Sequence, residues 1–435
     1  MKLAAAAKPA VIALLALALF VPVTMIQGLI AERQARRDEA VTGIAHGWGG
    51  RQTLAGPYLA VPYERTRTEV VRETIDGKPR VRRTERTVSR LLRLPAESVA
   101  WQISAQVGEK ARGIYKARLY SATAMARGRL RLPANFGLAD TTGRIKWGTP
   151  RLVIGVTDPG GIRSVSALVI GGREHGFLPG PGDGAAAAGG VHAELPELRA
   201  AQAQSLQFTF SIEIAGSEAF ALAPLGSDTG VTMRSSWPHP SFGGRFLPLS
   251  HDIGARGFSA RWQVSRYAAP GVSDKQALAV SFVQPAGLYQ KLERASKYGF
   301  LFIGLTFAAF LLFELLRRLA IHPIQYAFVG LALAMFFLLL TALSEHIAFA
   351  AAYALATLAC AGLIAGYLVR VLRSARTGLA FGAALAALYA MLYALLQAED
   401  YALLGGTLLL FALLAAVMMT TRRIDWYHLA SSRAA

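Results

Sequence analysis

The last third of the chain is written in apolar runs of bilayer length. Between Tyr298 and Asp425 there are five: Gly299–Leu316, Ile324–Leu343, Ile347–Val369, Leu379–Leu396 and Ala402–Thr420. Each holds about 18 to 23 residues, enough at about 1.5 Å per residue to cross roughly 30 Å of hydrocarbon. The polar breaks alternate in character. Arg317 with Arg318, then Arg370, Arg373 and Arg376, then Arg422 and Arg423 form one set; Ser344-Glu345-His346 and Glu399-Asp400 form the other, with no Lys or Arg. A sixth run, Ala10–Ala31, follows Lys2 and Lys8. It is longer than the core of a secretory signal and leads into Glu32-Arg33-Gln34-Ala35-Arg36-Arg37, so it reads as an uncleaved anchor with a kink at Pro22.

Between the anchor and the first of the five runs the period changes to two, the signature of strands. Val70–Leu92 alternates around Asp76-Gly77, a hairpin turn signal. Gly113–Leu132 reads as a further strand pair, with Tyr115, Ala117 and Leu119 opposed to Lys116 and Arg118. Arg151–Val156 and Val165–Ile170 flank a turn at Asp158-Pro159-Gly160-Gly161, and Leu178–Val191 reads as a flexible loop. Phe208, Phe210, Ile212 and Ile214 fall on one face of Leu206–Ile214. Phe258–Val264 and Val280–Val283 complete the strands, and the helical period returns at Ala286–Lys297. So many short strands predict packed sheets, a β-sandwich-like domain. The expected organisation is an anchor at 1–31, a β-rich domain at 32–298, a five-helix bundle at 299–427 and a tail at 428–435: six transmembrane helices, with the β domain between the first and second.

Composition agrees with a membrane protein: 435 residues, 53% hydrophobic. The formal net charge is +19, and residues 32–298 carry 36 Lys and Arg against 22 Asp and Glu. Basic loops stay on the cytoplasmic side, whereas long domains translocate largely regardless of charge. The arginine-rich breaks therefore predict a cytoplasmic side, the Glu345 and Glu399 breaks an outer side, and residues 32–298 the periplasm of a bacterial inner membrane, with both termini cytoplasmic. In that compartment a basic domain meets anionic lipid or another envelope component, not nucleic acid. The one cysteine, Cys360, lies in an apolar run, so no intrachain disulfide forms and no thiolate metal site is expected.

Candidate chemistry is sparse. Glu314 stands one turn before Arg317 and Arg318; a carboxylate in a span is a functional candidate, although an i,i+4 pair with Arg318 near the membrane surface accounts for it as well. Glu345, His346, Glu399 and Asp400 fall on hairpin tips that would meet on one side, a carboxylate and imidazole set suited to a cation or a proton, or simply to keeping tight turns at the surface. Tyr389, Tyr393 and Gln397 recur every four residues on one helix face, either lining a cavity or forming a hydrogen-bonded seam. Gly362 and Gly366 form a small-xxx-small pair consistent with close helix contact. On the β domain, Arg80, Arg82 and Arg83 make a basic surface, and Trp237 and His239 sit in a turn-rich aromatic segment. The zinc helix motif, the phosphate loop and the nucleophile elbow are missing, and nothing calls for a cofactor.

Several stretches resemble the CreD family. They are Tyr298–Phe307; Phe313-Glu314; His322-Pro323-Ile324-Gln325-Tyr326; Leu343-Ser344-Glu345-His346; Glu399–Gly405; Thr421–Tyr427; and, in the outer domain, Gly113-Ile114-Tyr115 and Ser236–Phe242. The resemblance covers about residues 10–428. It implies an inner-membrane protein linked to envelope integrity and to tolerance of a colicin and of β-lactams, with no catalytic assignment. The Leu178–Val191 loop, rich in Ala and Gly, and the arginine-heavy Val70–Leu92 hairpin depart from the family pattern. The leading expectation is a non-enzymatic protein whose β domain binds or senses an envelope component. A proton- or ion-linked transporter using Glu314, Glu345, His346, Glu399 and Asp400 is the alternative, and a membrane-bound enzyme the third reading. The sequence sets no oligomeric state.

Overall fold

The computed structural model describes residues 2–75, 78–138, 144–182, 189–199, 202–225, 227–268, 277–282, 287–317, 321–397, 404–408, 411, 415 and 418–419. The chain separates into a helical unit, Met1–Asp38 with Ala286–Ala435, and a second unit, Glu39–Pro285, that holds all the described strands.

In the helical unit, α1 runs Lys2–Ala18 and α2 Phe20–Trp48. The break at Leu19 sits one turn ahead of Pro22, which has no N–H to return to Ala18. Residues 32–48, expected as part of the β domain, are helical; Glu32 and Arg36, 2.6 Å apart at i,i+4, support that polar extension. Helix α3 runs Leu288–Arg317, α4 Pro323–Ser344, α5 Phe349–Val371 and α6 Ala375–Gln397. Pro323 opens α4 at its first position, with the His322 ring accepting from the Ile324 N–H. Among the described residues, four helices are long and apolar enough to cross a membrane: 10–48, α4, α5 and α6. The apolar run Gly299–Leu316 falls within the 30 residues of α3. Most of Ala402–Thr420 lies outside the described residues, and those described there are helical.

Close packing of α5 on α6 comes from a different pair of glycines than expected. A Cβ at Gly378 would stand 2.6 Å from Val369, and one at Gly382 2.5 Å from Ala365. Around Gly362 and Gly366 there is nothing within 4 Å. The small-xxx-small notch that brings helix backbones together is therefore on α6.

The second unit is a sandwich of two mixed sheets. The first contains β1 (Gln52–Ile75), β2 (Lys78–Pro95), β5 (Arg144–Trp147), β6 (Arg151–Val156), β10 (Leu178–Pro179), β11 (Gly189–Glu194), β13 (Ala219–Ala223), β15 (Pro240–Gly244) and β18 (Leu278–Phe282). Its order is β10-β11-β6-β1-β13-β18-β15, with β2 and β5 also on β1. The second contains β3 (Ser98–Arg112), β4 (Tyr115–Leu132), β7 (Ile162–Val165), β8 (Leu168–Ile170), β9 (Arg173–His175), β12 (Gln204–Ser217), β14 (Asp228–Ser235), β16 (Ser250–Gly254) and β17 (Gly257–Val264). Its order is β16-β17-β14-β3-β4-β12-β8-β9, with β7 also on β12.

Period two builds the core between them. Phe208, Phe210, Ile212 and Ile214 of β12 face inward and meet Trp101 and Trp262 from the same sheet and Leu54, Leu152 and Phe220 from the other. Trp101 packs edge-on to Phe210 at 5.7 Å. Each large side chain removed from water contributes roughly 1.5–3 kcal/mol. Tyr120 is also buried; burial pushes its hydroxyl well above the usual tyrosine pKa, and it donates to the Ala219 carbonyl at 2.9 Å.

Some expected elements differ. Ile75 pairs with Lys78, so Asp76-Gly77 does join two strands, but these are 24 and 18 residues long. Tyr115–Leu132 is a single strand, and its hairpin partner is Ser98–Arg112, closed at Gly113-Ile114. Gly113 adopts a φ of 63°, which the turn needs and glycine gives freely. The Asp158–Gly161 turn connects β6 in one sheet to β7 in the other, with the Asp158 carboxylate accepting from the Gly160 N–H at 2.9 Å. Leu178–Val191, expected as a loop, begins and ends in paired strands, Leu178 with His192 and Pro179 with Val191.

From Arg67 outward, β1 pairs only with β2 among the described residues, so nine residues, or about 30 Å, form a two-stranded ribbon beyond the sheet. Arg83 through Arg90 are all exposed.

Candidate functional site

The most polar assembly in the helical unit gathers where α4 ends. Glu345 follows the last turn of α4, and its side chain is only 9% exposed. Arg33 of α2 approaches to 3.7 Å, and the Tyr289 hydroxyl, in the first turn of α3, donates to Glu345 at 3.2 Å. Half a turn along α3, the Lys291 ammonium donates to Gln397 at the end of α6 at 3.2 Å, and Gln397 donates to the Tyr393 hydroxyl at 2.8 Å. Four helices are thus fastened at one end by a carboxylate, two cations and two amphipathic rings. Beneath lies an aromatic ladder: Tyr393 against Tyr353 at 5.1 Å, and Phe336 against Tyr389 at 4.2 Å. The Tyr353 hydroxyl donates to the Tyr389 carbonyl at 2.7 Å. The Tyr389 hydroxyl itself is buried with no hydrogen-bond partner among the described residues.

Glu314 belongs elsewhere. It is 2% exposed and accepts from the Tyr326 hydroxyl of α4 at 2.8 Å. Arg318, its expected i,i+4 partner, lies outside the described residues. Tyr289 and Glu314 are 25 residues apart on one helix, about 37 Å, so Glu314 and Glu345 occupy opposite ends. They do not form one site.

The remaining expected residues divide as follows. His346 is exposed, its backbone N–H returning to Leu343. Glu399 and Asp400 lie outside the described residues, and Glu345 is held by Arg33 and Tyr289. Among the described residues no group of three or more His, Cys, Asp or Glu could hold a metal ion. Arg83 is exposed on β2; Arg80 and Arg82 stand opposite Glu73 and Val71 in the ribbon register. Trp237 packs on the sandwich core, donates to the His239 carbonyl at 3.1 Å and carries the Arg118 guanidinium 5.2 Å above its ring; His239 is exposed.

Arg33, Tyr289 and Lys291 were not singled out from sequence. Their spacing carries no motif, since each meets its partner only through tertiary packing. Between α4 and α5 lies an apolar cavity of about 430 Å³ lined by Leu331, Met335, Cys360, Leu363 and Tyr367 among others. The outward leucines Leu331, Leu358 and Leu363 are 48 to 69% exposed, as befits side chains that face hydrocarbon.

The sequence pattern of a family described as inner membrane protein CreD matches residues 4–427, across both units. The chain belongs to the CreD family. It is 35% identical over 426 residues to the inner membrane protein CreD of Escherichia coli strain K12, covering 94% of this chain and 91% of that relative. A CreD-family chain with these apolar helices is an inner-membrane protein, and several of its helices cross the bilayer.

Proposed function

We propose that this CreD-family protein supports the integrity of the cell envelope without catalysing a reaction, its sandwich serving as a binding or sensing module outside the cytoplasm. One observation carries the reading: among the described residues of the helical unit, Glu345, Glu314 and Gln397 each join one helix to another. Glu345 is held by Arg33 and Tyr289, Glu314 by Tyr326, and Gln397 by Lys291. Such a bundle is built to hold its shape. The sandwich supplies the surface for recognition, with β2 carrying Lys78, Arg80, Arg82, Arg83, Arg86, Arg90 and Arg93 against Glu85 alone. An anionic envelope component or an acidic face of another envelope protein suits it.

The topology proposed is six spans: 10–31, the apolar part of α3, α4, α5, α6 and Ala402–Thr420. The arginine breaks face the cytoplasm, as do both termini, and Glu39–Pro285 lies in the periplasm. An alkaline phosphatase fusion at Gly184 should be active, and one after Arg373 inactive; the reverse pattern overturns the topology. Deletion of the gene should raise sensitivity to detergents and β-lactams; wild-type survival under each stress would remove the functional reading.

A second reading rests on the burial of Glu314. A carboxylate inside the hydrocarbon zone is where a carrier would take up a proton. In proteoliposomes Glu314→Gln should abolish any proton-linked flux; no flux from the parent protein leaves only the first reading.

A further inference from the structure

Phe328 of α4 meets Tyr367 of α5, and the Cys360 thiol is turned to the Ala332 carbonyl at 3.4 Å, so the two helices run antiparallel. The cavity of about 430 Å³ between them is walled by Phe328, Leu331 and Met335 from α4 and by Ala359, Leu363 and Tyr367 from α5. Ala359 to Tyr367 covers about 12 Å of helix axis. Such walls give water few partners; an apolar cavity of about 150 Å³ already stays dry and takes up a benzene-sized ligand. Left unfilled, the walls would lose their dispersion contacts. Leu355 and Leu358 also face outward on α5 but lie outside this cavity. The α5 wall leads to a charge. Leu363, Tyr367 and Arg370 follow at i, i+4 and i+7, which puts Arg370 on the same helix face about one turn beyond the cavity. Arg370 is exposed, as are Arg373 and Arg376 after it. Helix α4 starts at this end, so the positive pole of its dipole adds to them. Glu314, the described carboxylate at this end, is buried and turned to Tyr326.

We infer that the α4–α5 cleft binds one anionic phospholipid, an acyl chain lying along Leu331, Met335 and Leu363 and the phosphate meeting Arg370. Cations at the end of a cleft between spans are the chemistry that holds an acidic headgroup. The apolar run Ile347–Val369 ends immediately before Arg370, which sets the guanidinium at the depth of lipid phosphates. Three features favour a lipid over an apolar helix. A helix would leave the arginine unanswered. Helices also come together in membranes where small residues let backbones approach, whereas the rims here are Phe328, Leu331 and Leu363. The last apolar run of the chain begins elsewhere: a Cβ at Gly405 would stand 2.6 Å from Leu395 of α6, and one at Gly406 4.0 Å from the Tyr298 hydroxyl of α3. The lipid site requires only that α4 and α5 cross the bilayer. It is independent of the envelope-integrity role and of which side the sandwich occupies.

Native mass spectrometry of the full chain, released from nanodiscs of phosphatidylethanolamine, phosphatidylcholine and phosphatidylglycerol in equal parts, reads the bound lipid directly. The parent should retain one phosphatidylglycerol per chain in preference to the other two. Arg370→Gln should lower that occupancy about fivefold, the worth of one arginine near lipid phosphate, and erase the preference. Ala359→Phe, which fills the cavity from α5, should lose the lipid, while Leu355→Phe, outside the cavity, should keep it. Titrating phosphatidylglycerol into delipidated protein in detergent should raise the melting temperature of the parent and of Leu355→Phe but not of Ala359→Phe. The same melts reveal a variant that fails to fold, and Arg370→Gln, at an exposed position, tests the headgroup contact regardless. A parent that retains no lipid overturns the inference, as does a lipid that survives either Arg370→Gln or Ala359→Phe unchanged. Displacement of the lipid by inorganic phosphate alone would assign the cations to a free anion and also overturn it. A lipid-free dimer disrupted by Ala359→Phe would give the cavity to a second copy, with the same result.

Discussion

The hydroxyl of Tyr326 and the carboxylate of Glu314 meet at 2.8 Å with Glu314 only 2% exposed, joining α3 to α4. Removing the donor leaves a carboxylate in an apolar surrounding with less to satisfy it. Tyr326→Phe is expected to destabilise the bundle by about 1 kcal/mol, the scale of interhelical hydrogen bonds in membranes, and Glu314→Gln by less, since an amide still accepts. Thermal unfolding of both variants in detergent checks the order.

Gly378 and Gly382 leave no room for a side chain where α6 crosses α5. Gly382→Leu is expected to cost about 1–3 kcal/mol through overpacking, whereas Gly362→Leu, with open space around it, should fall within about 0.5 kcal/mol of the parent. Comparing the two by melting in detergent separates the notch that is used from the one that faces outward.

Arg266 holds Asp228 through its Nε at 2.8 Å and its own backbone N–H at 3.0 Å, and these hydrogen bonds keep the Asp228 carboxyl below its usual range. A depressed carboxylate contributes stability above its unfolded pKa, near 4, and loses it as pH falls through the folded value. Asp228→Asn should therefore lower the melting temperature of the protein at pH 7, and the gap to the parent should close as pH falls below about 4. A gap that persists at low pH would assign the loss to packing. The pair is half exposed, so the effect is small.

Strand β2 lies at a sheet edge with Arg83, Arg86 and Arg90 exposed. Cations on such an edge oppose pairing with another chain. Replacing the three by threonine is expected to leave unfolding within about 0.5 kcal/mol of the parent while producing concentration-dependent association, read by light scattering.

How much of this was legible depended on whether a strand shows water one face. Leu206–Ile214 and Phe258–Val264 alternate because one side is buried, and their strands were visible. Gln52–Tyr63 was not. Leu54 and Leu59 pack between the sheets, while Tyr58 and Ala60 pack with Val153 and Leu225 in a separate cluster, so burial on both faces erases the period. The register shift between Ala55 and Tyr58, around Pro57, obscures it further. Ser98–Arg112 alternates only in its first half, with Val99, Trp101, Ile103 and Ala105 buried; from Gly108 onward every side chain is exposed, so no apolar face marks the rest. The apolar helices were plain from length. The clasp on Glu345 was hidden, because Arg33, Tyr289 and Glu345 are joined only by folding, and the Tyr326 partner of Glu314 carried no signal for the same reason.

The glycine notch on α6 also bears on biosynthesis. Helix α5 leaves the ribosome before the residues that complete its packing exist. Until Gly378 and Gly382 emerge, the backbone near Ala365 and Val369 has no close neighbour on that side. The two helices are thus expected to settle as a pair, with assembly of this half of the bundle waiting on translation of α6.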